Sequence, residues 1–234
     1  MPFPKLLNKI VSQLFFDFYD SKNIDNFKID DFLRLPENID AYNFLDNFFK
    51  QNNYQQNLLK SMILRGESGC GKTHLLNIYA QKYQINFISV EQINFENPLK
   101  IFYENGFFVI DDFCQIADEE KLLQYINCAT ESKAFLILVF NENKIFELKD
   151  LQSRIKNIAS CQINQASLDS LKQIFINILT RKQIDLSNQI INFIFANISP
   201  NQSSVNQIVK QIDFFCREND KKFNLINAKE ILRI

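Results

Sequence analysis

The run Gly66-Glu67-Ser68-Gly69-Cys70-Gly71-Lys72-Thr73 fits G-x-x-x-x-G-K-T, a pattern that needs a strand before it and a helix after it. Its purpose is to wrap backbone amides around an anion, so it constrains the fold as much as the chemistry. Both flanks comply. Residues 58–64 (Leu-Leu-Lys-Ser-Met-Ile-Leu) read as a buried strand, and residues 73–83 read as a helix with Leu75, Leu76 and Tyr79 on one face. The chain has four glycines, and three stand in this loop. Glycine lets the backbone curl with its amide hydrogens inward, and a side chain at Gly69 or Gly71 would hinder the approach of phosphate oxygens. The helix that follows aims its positive N-terminus at the same anion. In such a loop Lys72 bridges the β- and γ-phosphates, and the Thr73 hydroxyl ligates the Mg2+ that accompanies the nucleotide.

A second acidic element is required, and one follows about forty residues on. Phe107-Phe108-Val109-Ile110-Asp111-Asp112 is four apolar residues running into two carboxylates, which suits a central parallel strand ending at the phosphate edge of a sheet. Asp111 would hold the magnesium, through water, and Asp112 would orient or deprotonate the attacking water. On its own the segment also reads as a plain strand followed by a solvated acidic turn, since Asp118, Glu119 and Glu120 come soon after.

Around these motifs the middle of the chain alternates strand and helix: strand 85–90, helix or turn 96–103, strand 107–110, helix 119–131 and strand 134–140. That is a doubly wound α/β pattern. From about Ser167 the periodicity is helical throughout, with helices at 168–181, 187–196, 203–217 and 227–232. Ser167 with Asp169, and Ser187, occupy cap positions, and Pro200 marks a break. A parallel-sheet domain followed by a small all-helical lid is the predicted architecture.

Composition narrows the class. The 234 residues are 46% hydrophobic, enough for a packed core. No apolar run approaches 18 residues and no signal-peptide pattern opens the chain, so the sequence reads as a cytoplasmic protein without membrane attachment. The five cysteines form no C-x-x-C pair and the single histidine is His74, which excludes a zinc site and fits a reducing compartment. Twenty-six basic residues against 27 acidic ones leave a net charge of −1, without the positive field that drives nonspecific DNA binding; any contact with DNA is expected to be weak or indirect.

Taken together the motifs resemble the AAA+ ATPases, and within them the branch of the replication initiator DnaA and its shorter homologue Hda. The loop continues as Gly71-Lys72-Thr73-His74-Leu75-Leu76, similar to the G-K-T-H-L-L of that branch, and the acidic strand ends Ile110-Asp111-Asp112, similar to its I-D-D. Asp31-Phe32 followed by Pro36-Glu37-Asn38 and Ala41 resembles the segment lining the adenine pocket. Leu148-Lys149-Asp150-Leu151-Gln152-Ser153-Arg154 resembles the stretch whose arginine reaches a neighbouring subunit's nucleotide. The resemblance spans residues 13–234. It implies ATP or ADP with Mg2+ as cofactors; Asp31, Phe32, the loop residues Gly66, Glu67, Ser68, Gly69, Cys70, Gly71, Lys72 and Thr73, and His74 as nucleotide contacts; and Arg154 as an arginine finger, the alternative being a surface arginine at the lid junction. The polar sensor after strand 134–140 would be Asn141, or else Asn143. The domains implied are an N-terminal arm (1–24), a nucleotide-binding AAA+ domain (25–164) and a helical lid (165–234).

Two departures accompany the matches. No helix-turn-helix domain follows the lid, so the chain is not expected to be a complete initiator. The lid arginine of the family falls at Ser203 or Ser204 here; loss of a charge-assisted contact of about 1.5–3 kcal/mol would weaken nucleotide binding or lid closure.

The arm carries a partner signal. Gln13-Leu14-Phe15-Phe16-Asp17-Phe18 resembles the peptide by which Hda proteins dock on the DNA polymerase III sliding clamp (β subunit), with Gln13, Leu14, Phe16 and Phe18 as the contacts. Leu7, Ile10, Val11, Leu14, Phe15 and Phe18 also recur at helical spacing, so an amphipathic arm packed on its own domain stays open. The resemblance implies regulatory inactivation of DnaA, with DnaA and the clamp as partners and a homo-oligomer possible. The alternatives are a helicase-loader or adaptor ATPase of the DnaC type, and a nucleotide-locked scaffold without turnover.

Overall fold

The computed structural model describes residues 32–53, 60–80, 82–89, 92–93, 97–111, 118–140, 145–219 and 223–233. Among the described residues the first element is helix α1 (Ile39–Asn53), followed by β1 (Ser61–Gly66), α2 (Lys72–Ala80), β2 (Ile85–Ile88), a 3-10 turn (Pro98–Lys100), β3 (Phe107–Ile110), α3 (Glu119–Glu131), β4 (Phe135–Phe140), α4 (Lys149–Lys156) and β5 (Ala159–Ile163). Four helices close it: α5 (Leu168–Arg181), α6 (Asn188–Asn197), α7 (Gln202–Asn219) and α8 (Leu225–Leu232).

The five strands form one sheet, ordered β2-β3-β4-β1-β5, with every pairing parallel. Parallel strands need both faces covered, and β4, buried at all six positions, reads accordingly as an unbroken apolar run. Side-chain alternation sends Phe135, Ile137 and Val139 to one face and Leu136, Leu138 and Phe140 to the other. The first face packs on α1 and α2 through Leu45, Phe49, Leu76 and Tyr79. The second packs on α3 and α4 through Leu122, Tyr125, Leu151 and Ile155. The closing helices bury a separate core around Phe175, Ile194, Val205 and Ile212.

Strand 107–110 and helices 119–131 and 168–181 fall where the sequence predicts them. Strand 85–90 ends at Ile88, helix 73–83 starts at Lys72 and ends at Ala80, and segment 96–103 is a 3-10 turn capped by Asn97. Ser167 caps α5, its side chain accepting from the Ser170 amide; Ser187 precedes α6 without a capping hydrogen bond. Three elements are additional. Helix α1 carries its stripe at Ala41, Tyr42, Leu45, Phe48 and Phe49, spaced i, i+1, i+4, i+7 and i+8, but asparagines and aspartates fill the positions between and obscure it. Helix α4 buries only Leu151 and Ile155. Edge strand β5 is Ala-Ser-Cys-Gln-Ile, with only Ile163 fully buried.

Candidate functional site

Gly66 ends β1 against Ile163 of β5, and this junction leaves no room for a side chain. A Cβ there would stand 2.5 Å from Cys70 Sγ and 2.7 Å from the Ile163 carbonyl oxygen. At Gly71 the constraint is conformational: φ is +103°, while a Cβ would meet no protein atom within 4 Å. Gly69 also has a positive φ, +80°, and a Cβ on it would come 4.0 Å from Gln202 Cβ. The loop therefore turns directly into α2, whose first turn is closed by the Leu75 amide on the Gly71 carbonyl at 2.9 Å.

Lys72 is the first residue of α2 and only 7% exposed. Its Nζ donates to the carbonyl oxygens of Gly66 at 2.7 Å and Glu67 at 2.8 Å, which holds the ammonium inside the loop. The Thr73 hydroxyl donates to Asp111 Oδ2 at 2.8 Å, joining two residues 38 apart in sequence. Asp111 directly follows β3, and the sheet order brings its carboxyl end level with that of β1, with β4 between them. A hydroxyl and a carboxylate side by side at a phosphate loop are the hard oxygen donors Mg2+ takes, so the residues present fit the ion. Asp112, Asn141 and Asn143 lie outside the described residues, as do Asp31 and the segment Gln13, Leu14, Phe16 and Phe18.

Phe32 and His74 come together. Their rings stack at 6.1 Å, and Phe32 also stacks on Tyr42 at 5.8 Å, with the Arg34 guanidinium 4.4 Å from the Tyr42 ring centroid. Next to this wall, Asn38 Oδ1 accepts from the Leu35 amide at 2.9 Å and Asn38 Nδ2 donates to the Leu33 carbonyl at 3.1 Å. Asn38 is thus spent on shaping the turn into α1. A cleft opens here, lined by Leu35, Glu37 and Asn38, by Ser68 to Cys70 of the loop, and by residues 163–166, Leu171, Ile174 and 200–202. Its walls come from both cores, which suits a ligand bridging the sheet and the closing helices.

The sequence reading missed what fastens these two parts. The Glu37 carboxylate accepts from the Ser167 amide at 2.9 Å and from the Ser170 hydroxyl at 2.8 and 3.0 Å, at the N-terminus of α5. The Asn164 amide donates to the Glu37 carbonyl at 3.0 Å. Burial alone would push the Glu37 carboxyl up, but the hydrogen bonds from Ser167 and Ser170 outweigh it and hold the group below the usual carboxylate range. A second tie joins the Gln165 side-chain amide to the Glu67 carboxylate. Gln202 lines the cleft beside Gly69, whereas Ser203 and Ser204 are not part of its lining. An acid in a turn and two serines spaced i, i+3 before an apolar helix were visible signals; their pairing across 130 residues was not.

Arg154 is elsewhere. It is exposed on α4, outside the cleft, and makes no side-chain hydrogen bond or ion pair among the described residues.

No protein-family model and no curated protein matches the chain. Solved structures do match. Domain III of the replication initiation protein DnaA from Thermotoga maritima superposes with a TM-score of 0.71 at 17% identity, covering 89% of this chain and 96% of that one. The Holliday junction branch migration motor RuvB from Thermotoga maritima gives 0.68 at 15% identity, over 90% of this chain and 72% of that one. DnaA from Aquifex aeolicus, solved with AMPPCP bound, gives 0.64 at 17% identity, over 84% and 69%. The fold is that of an AAA+ P-loop domain with its helical lid. Among the described residues, no helix is long and apolar enough to cross a membrane.

Proposed function

We propose that this chain is an Hda-like regulator of replication initiation, which binds an adenine nucleotide at Gly66–Thr73 and stimulates hydrolysis of ATP held by DnaA. The single observation carrying this reading is the separation of Arg154 from the chain's own phosphate loop, with its guanidinium exposed and unengaged among the described residues. A planar cation so presented suits a nucleotide on another molecule.

In this reading Lys72 would bind the phosphates of the chain's own nucleotide, and Thr73 and Asp111 would hold Mg2+, which would neutralise phosphate charge there. Glu37 keeps the lid against the adenine side. Asp112 orients a water and Asn141 senses the γ-phosphate. On DnaA, water attacks the γ-phosphorus, the bond to the β–γ bridging oxygen breaks, and ADP and phosphate leave. Arg154 stabilises the charge on the γ-phosphoryl oxygens during that step. The segment Gln13, Leu14, Phe16 and Phe18 holds the chain on the sliding clamp, so contact with DNA is indirect. Residues 1–24, 25–164 and 165–234 serve as arm, AAA+ domain and lid.

The test is the ATPase rate of DnaA with the loaded clamp and this chain. Arg154→Ala is expected to lower the stimulated rate by about a thousandfold, within the range for arginine fingers, with clamp binding retained. Full stimulation by Arg154→Ala overturns the mechanism. Ala at Gln13 and Phe16 should abolish clamp pull-down, and undiminished retention would favour an arm packed on its own domain.

A second reading is a scaffold locked on one nucleotide. Ser203 and Ser204 favour it, since neutral side chains stand where the resemblance leads one to expect an arginine in the lid. A nucleotide that stays bound and unhydrolysed through many rounds of DnaA turnover would distinguish it.

A further inference from the structure

Glu119, the first residue of α3, uses its carboxylate on the segment that enters α4. Oε1 and Oε2 accept from the Glu147 amide at 3.1 and 2.9 Å, and Oε2 also accepts from the Leu148 amide at 2.7 Å. Leu148 is the N-cap residue of α4, and it has no side-chain group that can cap a helix. The N-cap amide needs an acceptor, which a Glu or Gln at the third helical position supplies in a capping box, but that position is Leu151 here. Here an acceptor arrives from another helix, and it also places negative charge at the positive end of α4.

Phe146, buried against Phe140, and Leu148, packed on the same core, anchor that end through apolar contact, while Glu119 supplies its charged hydrogen bonds. Helix α4 spans eight residues and buries only Leu151 and Ile155. From inside the helix, the Gln152 side-chain amide donates to the Phe146 carbonyl. Glu119 itself is set firmly, because Asp118 caps α3 by accepting from the Lys121 amide at 3.0 Å. With Leu151 and Ile155 turned into the core, Arg154 must point outward, and the angle at which α4 leaves the sheet decides where its guanidinium is presented.

We infer that Glu119 is the positioning residue for Arg154, clamping the entrance of α4 so that the guanidinium is held ready for a phosphate on another molecule. This rests on the reading that Arg154 acts on a partner's nucleotide. Glu119 touches no reacting atom.

Three full-length variants test it: Glu119→Ala, Glu119→Gln and Arg154→Ala. The readouts are amide exchange over residues 147–152, the chain's own affinity for ADP, and the stimulated DnaA rate as a function of this chain's concentration. Glu119→Ala should raise exchange over residues 147–152 at least tenfold and lower the maximal stimulated rate at least tenfold, with ADP affinity within twofold of wild type. Glu119→Gln retains an acceptor oxygen and should recover most of both effects. If Glu119→Ala fails to fold, Glu119→Gln still carries the test through a two- to fivefold rise in exchange, and unchanged exchange would overturn the inference. Wild-type stimulation by Glu119→Ala, with stimulation lost in Arg154→Ala, overturns the role of Glu119 and leaves the trans-acting arginine standing. Wild-type stimulation by Arg154→Ala removes both.

Discussion

Removing the carboxylate of Glu37 should loosen the lid. The group accepts from the Ser167 amide at 2.9 Å and the Ser170 hydroxyl at 2.8 and 3.0 Å, so two donors lose a charged acceptor together. Hydrogen bonds to charged groups contribute about 1.5–3 kcal/mol each where water is excluded, but here water can replace part of the loss. The Ser170 hydroxyl also lies 3.0 Å from Ser167 Oγ, a surviving partner that softens the penalty at a residue only 4% exposed. A further contribution of about 0.3–1 kcal/mol goes with the negative charge at the N-terminus of α5. Together these place Glu37→Ala at about 2 kcal/mol. Glu37→Gln keeps one acceptor oxygen and loses the charge, which places it at about 1 kcal/mol. Because the cleft has walls from both cores, the loss should emerge as weaker ADP binding, by about 30-fold for Ala and about 5-fold for Gln at 1.4 kcal/mol per decade. Titration of a fluorescent ADP analogue, with urea unfolding in parallel, measures both. Wild-type affinity and an unchanged unfolding midpoint for Glu37→Ala would refute the latch.

Other outcomes follow from the same geometry. Lys72→Ala removes the only ammonium seated in the loop among the described residues, and losing about 3 kcal/mol of charge-assisted contact should weaken ADP binding about 100-fold in calorimetry, a change under fivefold being inconsistent with a phosphate site. Phe49 is fully buried and stacks on Tyr79 at 5.0 Å and Tyr83 at 4.8 Å, so Phe49→Ala should cost about 3–5 kcal/mol in urea unfolding; a loss below about 1 kcal/mol would contradict this packing. Since Glu37 is held below its ordinary value of 4.5, the folded chain binds that proton less tightly than the unfolded one. Its stabilisation is complete above that value and disappears as pH falls through the lowered one, so wild type and Glu37→Gln should converge in stability on acidification, whereas a gap that persists unchanged would exclude the ionised latch.

How legible the molecule was depends on where its information is stored. Strand 107–110 and helix 119–131 could be read because local pattern and burial coincide: four apolar residues buried on both faces, then an amphipathic helix with Asp118 at its cap. Strand β5 could not, because at the sheet edge only Ile163 is fully buried and no apolar run remains. The polar sequence of α1 hides a stripe that shows only once Phe48 and Phe49 are seen against Phe107 and Phe135. In the site, the residues of Gly66–Thr73 and Asp111 are carried by short motifs whose spacing is chemical. Glu37 with Ser167 and Ser170, and Glu119 with the amides of Glu147 and Leu148, are long-range pairs formed by ordinary residues. No local pattern announces such contacts, since only the closure of the fold brings their members together.

The phosphate loop that first constrains this chain would, on this account, shape a contact more than it turns over fuel. One measurement addresses that claim directly. DnaA is loaded with ATP labelled at the γ-phosphate, this chain is loaded with unlabelled ADP, and release of labelled phosphate is followed through a single turnover on the loaded clamp. The account predicts release accelerated by about a thousandfold or more by the wild-type chain, and release at the unstimulated rate with Arg154→Ala. Labelled phosphate released at the same rate with and without this chain would contradict it.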